Sequence, residues 1–152
     1  MAGLRTAYKF SLLAANIVVG TNITLIQILA PTNQKIRIER LFLFGRGTLA
    51  TDKQELFELL TQSTAGTGST ITPTKLNGAD SETIQGTAIG TYTVEPTAGT
   101  IRQQFGLQPQ RPLEVVFPPG RDLIIKGGER LALRLNTPIA AYDYFGTIEA
   151  EE

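Results

Sequence analysis

Apolar residues recur at every second position over much of this chain, the period of a strand with one face buried. The run NITLIQILAP is stopped by Pro31. After the turn PTNQ, Ile36 and Ile38 alternate with Lys35, Arg37 and Glu39, so one face of this strand is wet. From Leu41 to Phe44 the alternation gives way to a continuous apolar run, which predicts burial on both faces or a β-bulge. LEVVF, DLIIKG and RLALRLN follow; in the last, Leu131, Leu133 and Leu135 share a side, with Ala132 and Arg134 opposite. YDYFGTIEA is the final run. The segments FPPGRD and IKGGER between these runs carry the proline and glycine that turns require.

Two stretches depart from this pattern. TDKQELFELLTQ fits a helix with Asp52 as cap, Glu55 as the capping-box acid and Leu56, Leu59 and Leu60 on one face. It fits equally a strand in which Leu56, Glu58 and Leu60 alternate with Phe57 and Leu59. Residues 61–100 hold twelve of the twenty threonines and only four charges, Lys75, Asp80, Glu82 and Glu95. Branched threonine favours extended backbone, so this part reads as long loops around short strands such as TIQGTAIGTYTVEP. Many short strands, turn punctuation and little helix predict an all-β chain: a β-sandwich of two antiparallel sheets, with a jelly roll as the expected arrangement. The first twenty residues are read as an extended N-terminal arm or first strand (1–20), the remainder (21–152) as one sandwich domain. Arg5 and Lys9 ahead of a mildly apolar run loosely imitate a secretory signal, but Asn16 interrupts it and AYKFSLLA alternates as a strand does.

Charge and composition narrow the chemistry. Lys plus Arg equals Asp plus Glu at 14 each, which lacks the basic excess of a dedicated nucleic-acid binder. No run approaches the roughly 20 apolar residues of a membrane-spanning helix. Cysteine and histidine are both absent, so disulfides, thiolate or imidazole metal sites and Ser-His-Asp or Cys-His catalysis are excluded. Asp52, Asp80, Asp122 and Asp143 are scattered and match no calcium-loop spacing. A carboxylate pair such as Glu114 and Asp122 is the catalytic arrangement that composition still allows. STAGTGSTITPTKL resembles a phosphate loop only superficially: the Gly-Lys-Ser/Thr order is missing, and Pro73 with its threonines opposes the helix such a loop needs. No catalytic, cofactor or metal residues are therefore assigned.

The order of pieces resembles a family of tailed-bacteriophage virion proteins, the jelly-roll capsid decoration or cement proteins. The resemblance runs from TLIQILAPTNQKIRIERLFLFGRGT through ELFELLTQSTAGTGSTITPTKLN and TAIGTYTVEPT to FPPGRDLIIKGGERLALRLNTP and the final GTIEAEE. It covers about Thr24 to Glu152, lies in pattern and punctuation rather than in catalytic residues, and favours a strand for QELFELLTQ. It implies a non-enzymatic structural protein, often a homotrimer, bound to the major capsid protein on the outer surface of a phage head. Arg5, Tyr8, Lys9, Phe10, Tyr142 and Tyr144 are the expected interface residues, since aromatic side chains anchor many interfaces. Residues 1–20 match the family least and are expected to be ordered by a sister subunit or by the shell. Rival functions on the same fold are a carbohydrate- or receptor-binding virion module and a carboxylate glycan hydrolase.

Overall fold

The computed structural model describes residues 6–14, 17–48 and 53–152. Its strands are β1 (Ala7–Ala14), β2 (Ile23–Leu29), β3 (Ile36–Arg46), β4 (Glu55–Gln62), β5 (Thr67–Ile71), β6 (Thr74–Lys75), β7 (Thr87–Val94), β8 (Ala98–Leu107), β9 (Leu113–Val116), β10 (Leu123–Ile125), β11 (Arg130–Asn136) and β12 (Asp143–Glu151). Among the described residues there is no helix. The chain is all-β, and its strands pair antiparallel into two six-stranded sheets packed as a sandwich. One sheet, hereafter the first, has the order β10–β3–β12–β1–β6, with β9 also paired to β3. The second has the order β5–β7–β2–β11–β4–β8.

The pairing is nested. β1 pairs with β12, β2 with β11, β3 with β9 and β10, and β4 with β8. The early strands thus meet the late ones in reverse order, as in one long hairpin ribbon. Further pairing of β12 with β3 and of β11 with β4 rolls that ribbon into two layers. Residues between β4 and β8 form an excursion on one side: β7 extends the second sheet beside β2, β5 follows β7, and β6 adds to the first sheet beside β1. On the opposite side Arg102 of β8 links the two layers, donating to Ile124 O at 2.8 Å and pairing with Glu129 at 2.6 Å.

Alternation explains most of the core. Tyr8, Phe10 and Leu12 of β1 point inward, as do Leu131, Leu133 and Leu135 of β11. β3 changes phase midway, because Ala150 of β12 pairs with Ile38 and Glu149 with Arg40, leaving Glu39 as an extra residue. This bulge puts Ile36 and Ile38 in the core before it, and Leu41 and Leu43 after it. The apolar run from Leu41 to Phe44 is therefore an inward pair interleaved with an outward pair, Phe42 and Phe44. A void of about 10 Å³ among Ile26, Ile38, Leu41 and Ile148 sits at the lower limit for one water, so the centre is closely packed.

The structure decides between the alternatives that two segments left open. Residues 7–14 are no arm ordered by a neighbour: β1 lies between β12 and β6, and the Tyr8 and Phe10 rings meet edge to face at 5.4 Å within the core. The ambiguous TDKQELFELLTQ is a strand from Glu55, with Phe57 and Leu59 inward and Glu58 on the outer face beside Arg134. Asp52, the proposed helix cap, lies outside the described residues.

Candidate interaction surfaces

The expected interface aromatics are core residues. Tyr8, Phe10 and Tyr144 have no exposed surface and Tyr142 only 5%, so none of them offers contact area to a partner. The reason is phase. In β1 the polar residues Lys9 and Ser11 mark the outer face, which sends Tyr8 and Phe10 inward. In β12 Thr147, Glu149 and Glu151 mark the outer face, so Tyr144 is inward and Phe145 outward. Tyr142 packs over β3 where a Cβ on Gly45 would overlap its ring, and its hydroxyl reaches Gly47 O at 3.4 Å. Burial, then the Glu152 carboxylate, pushes the Tyr8 phenol well above its ordinary value, so it stays neutral. Lys9 is partly exposed on the outer face opposite Glu149, and Arg5 lies outside the described residues.

The outer face of the first sheet carries aromatics that sequence reasoning passed over. Phe44 of β3 stacks on Phe145 of β12 with ring centres 5.6 Å apart and planes 17° from parallel. Phe42 lies 5.8 Å from Phe44 on the same strand. Phe44 is 39% exposed, and Val116 of β9, on the same face, is 61% exposed. A shallow hollow of about 440 Å³ adjoins these rings, bounded by Phe42, Phe44, Pro109, Arg111 and Pro112. Phase could have found them, because Phe145 lies in step with Thr147, Glu149 and Glu151 on the outer side of β12 and Phe42 follows the bulge.

Beside the aromatic half of this face is a charged half. Arg40 bridges two strands, pairing with Glu114 of β9 at 3.1 Å and Glu149 of β12 at 2.5 Å. Arg37 pairs with Asp122 at 2.9 Å and Glu151 at 2.9 Å. Glu114 and Asp122, the carboxylates considered as a catalytic pair, are thus held by two different arginines. β4 of the second sheet buries two carboxylates, Glu58 on the outer face and Glu55 in phase with inward Phe57. Glu58 accepts from Arg134, Asn136 and Gln104; burial pushes its pKa up, and these hydrogen bonds overcome that, leaving it below the ordinary value. Glu55 accepts the amides of Ile139 and Ala140, but there burial prevails and the pKa is raised.

No family model, curated protein or solved structure matches this chain.

Among the described residues no cluster of His, Cys, Asp or Glu could hold a metal ion, and no helix is long and apolar enough to cross a membrane. The glycine-rich stretch from Ser63 becomes the turn into β5, β5 itself and β6, with no helix after it. What the outer face of the first sheet can do chemically is bind: a rigid pleated surface presents stacked rings on one half and paired charges on the other.

Proposed function

We propose that this chain is a structural virion protein, a capsid decoration or cement protein that binds the outer surface of a tailed-phage head and stabilises it. The observation that carries this reading is the exposed Phe42–Phe44–Phe145 stack on the outer face of a closed sandwich. A cement protein needs a rigid body that presents an apolar face to the shell, and aromatic clusters are the side chains that concentrate binding energy in such faces. The nested ribbon of early and late strands supports reading the sandwich as a jelly roll, in accord with the family that the sequence resembles. Closed threefold symmetry would let identical surfaces meet around one axis, so we assign the protein as a homotrimer bound to the major capsid protein.

Binding that favours the intact shell over its dissociated subunits stabilises the shell by mass action, by about 2.7 kcal/mol per site at one hundred times the dissociation constant. Exposed ion pairs contribute roughly 1 kcal/mol or less, so apolar contact dominates and attachment persists in moderate salt. The test adds purified protein to phage capsids lacking it and follows rupture temperature at low and high salt. A rise at both salts is expected. Failure to bind, or binding without a rise, rejects the cement role.

A further inference from the structure

Thr91, one of two non-glycine residues with a left-handed backbone among those described, borders a surface groove. β7 stays paired with β2 through Ile26 and Gly90, and then the two strands part. At the parting point Thr91 has φ 50°, a left-handed conformation that a β-branched residue rarely adopts. Were β7 to continue beside β2, its backbone would satisfy the Thr24 amide. Instead the Glu95 carboxylate reaches back and accepts Thr24 N–H through Oε2 at 2.9 Å. Between the separated segments, residues 17–25 and 91–95, lies a groove of about 420 Å³. That volume is in the range of small-molecule pockets, roughly 300–1,000 Å³. Backbone strain retained where pairing could have removed it points to a site.

The groove's chemistry is specific. Ile17, Ile23 and Tyr92 supply apolar wall, and Tyr92 is pinned by its hydroxyl to Ile89 O at 3.1 Å. Its ring lies against Gly68 of β5, where a Cβ would come within 3.2 Å. Glu95 is exposed and accepts Thr24 N–H through Oε2, so its carboxylate stands at the groove as an acceptor. Asn22 accepts Thr137 N–H at 2.9 Å through its oxygen, which leaves its NH₂ group as a donor. Thr21 and Thr91 add hydroxyls that both donate and accept. Among the described residues no lysine or arginine lines the groove, so its donors are neutral and Glu95 is its charged group.

We propose that this groove binds a saccharide. A pyranose has an apolar C–H face for the Tyr92 ring and a rim of hydroxyls for Glu95, Asn22 and the threonines; this alternation matches the groove wall by wall. The site lies where β7 leaves β2 in the second sheet, whereas the Phe42–Phe44–Phe145 stack is on the outer face of the first, so it does not depend on capsid attachment.

The test applies the full chain, multimerised on beads, to an array of bacterial-surface and mammalian glycans, alongside an immobilised lysine-rich peptide. Glycan signal is expected, and should fall at least tenfold in both Tyr92→Leu and Glu95→Gln but persist in Phe44→Ser. Titrating the best glycan into labelled protein should shift the amides of residues 21–25 and 91–95, a readout needing no variant. Absence of glycan signal overturns the proposal. So does signal that survives both groove variants, shifts confined to other strands, or binding to the lysine peptide alone, which would make the site one for ammonium groups.

Discussion

Glu39 decides which side chains of β3 reach the core, since its insertion opposite β12 reverses the inward phase between Ile38 and Leu41. Gly45, further along the same strand, is equally committed: a Cβ there would overlap the Tyr142 ring and lie 2.7 Å from Pro109 O. Gly45→Ala should therefore cost about 1–3 kcal/mol through overpacking, and a thermal melt should show a fall of roughly 2–4 °C per kcal/mol. An unchanged melting temperature would mean that the Tyr142 ring moves aside at no cost. Glu58 gives a prediction in pH. Its folded pKa is depressed, so its stabilisation is complete above the ordinary carboxylate range and is lost as pH falls through the folded value. Glu58→Gln leaves Arg134 half-paired and should cost roughly 3 kcal/mol at pH 7. The gap from the parent should shrink progressively in denaturant titrations at lower pH; a gap independent of pH would contradict this. Glu55 acts in the opposite sense, because a raised carboxylate pKa lowers stability as pH climbs from the unfolded value to the folded one.

At the scale of elements, β1 is an interior strand of the first sheet and carries three inward side chains. Removing residues 1–14 would expose the edge of β12, empty the sites of Tyr8, Phe10 and Leu12 and leave β6 without its partner. The loss of two large aromatics alone, at about 3–5 kcal/mol each, exceeds much of the 5–15 kcal/mol that holds a typical domain. The truncated chain should thus lack a cooperative melt and a dispersed amide spectrum. Retention of both would restore the view of this segment as an arm. The excursion between β4 and β8 shields polar side chains: Gln27 donates to Gln62 at 2.6 Å and to Thr64 O at 2.9 Å, and Gln62 donates to Thr24 at 3.0 Å. Thr64 belongs to the excursion, so one of the two bonds that Gln27 donates lasts only while that residue stays in place.

For the whole molecule, the proposed assembly joins the exposed face to a closed ring. Sedimentation of the isolated protein should give a trimer, and a clean monomer at micromolar concentration would reject a preformed ring. Phe44→Ser removes a partly exposed ring stacked on Phe145 and should cost roughly 1–2 kcal/mol in folding stability. Its effect on attachment should be at least a tenfold loss of capsid affinity, measured by co-sedimentation with capsids lacking the protein. Equal affinity for variant and parent would place the shell contact on another surface.

The period-two pattern was enough to establish an all-β chain, the runs that became β2, β3, β11 and β12, and the shared inward side of Leu131, Leu133 and Leu135. That legibility has a local cause: successive side chains of a strand point to opposite faces whatever the strand's partners are. The same alternation in β1 and β12 already separated Tyr8, Phe10 and Tyr144 from Phe145, although aromatic identity alone suggested the wrong set as interface. Tertiary structure decided the rest. AYKFSLLA reads as a strand anywhere, but its place inside a sheet depends on β12, which follows it by more than a hundred residues. TDKQELFELLTQ suited helix and strand alike until β11 and β8 flanked it. The groove beside Tyr92 exists because β7 leaves β2 after Gly90 and Glu95 closes the gap. No short-range pattern encodes that parting, since it lies between strands distant in sequence and carries a hydrogen bond from Thr24 to Glu95 that only the assembled sheet brings together.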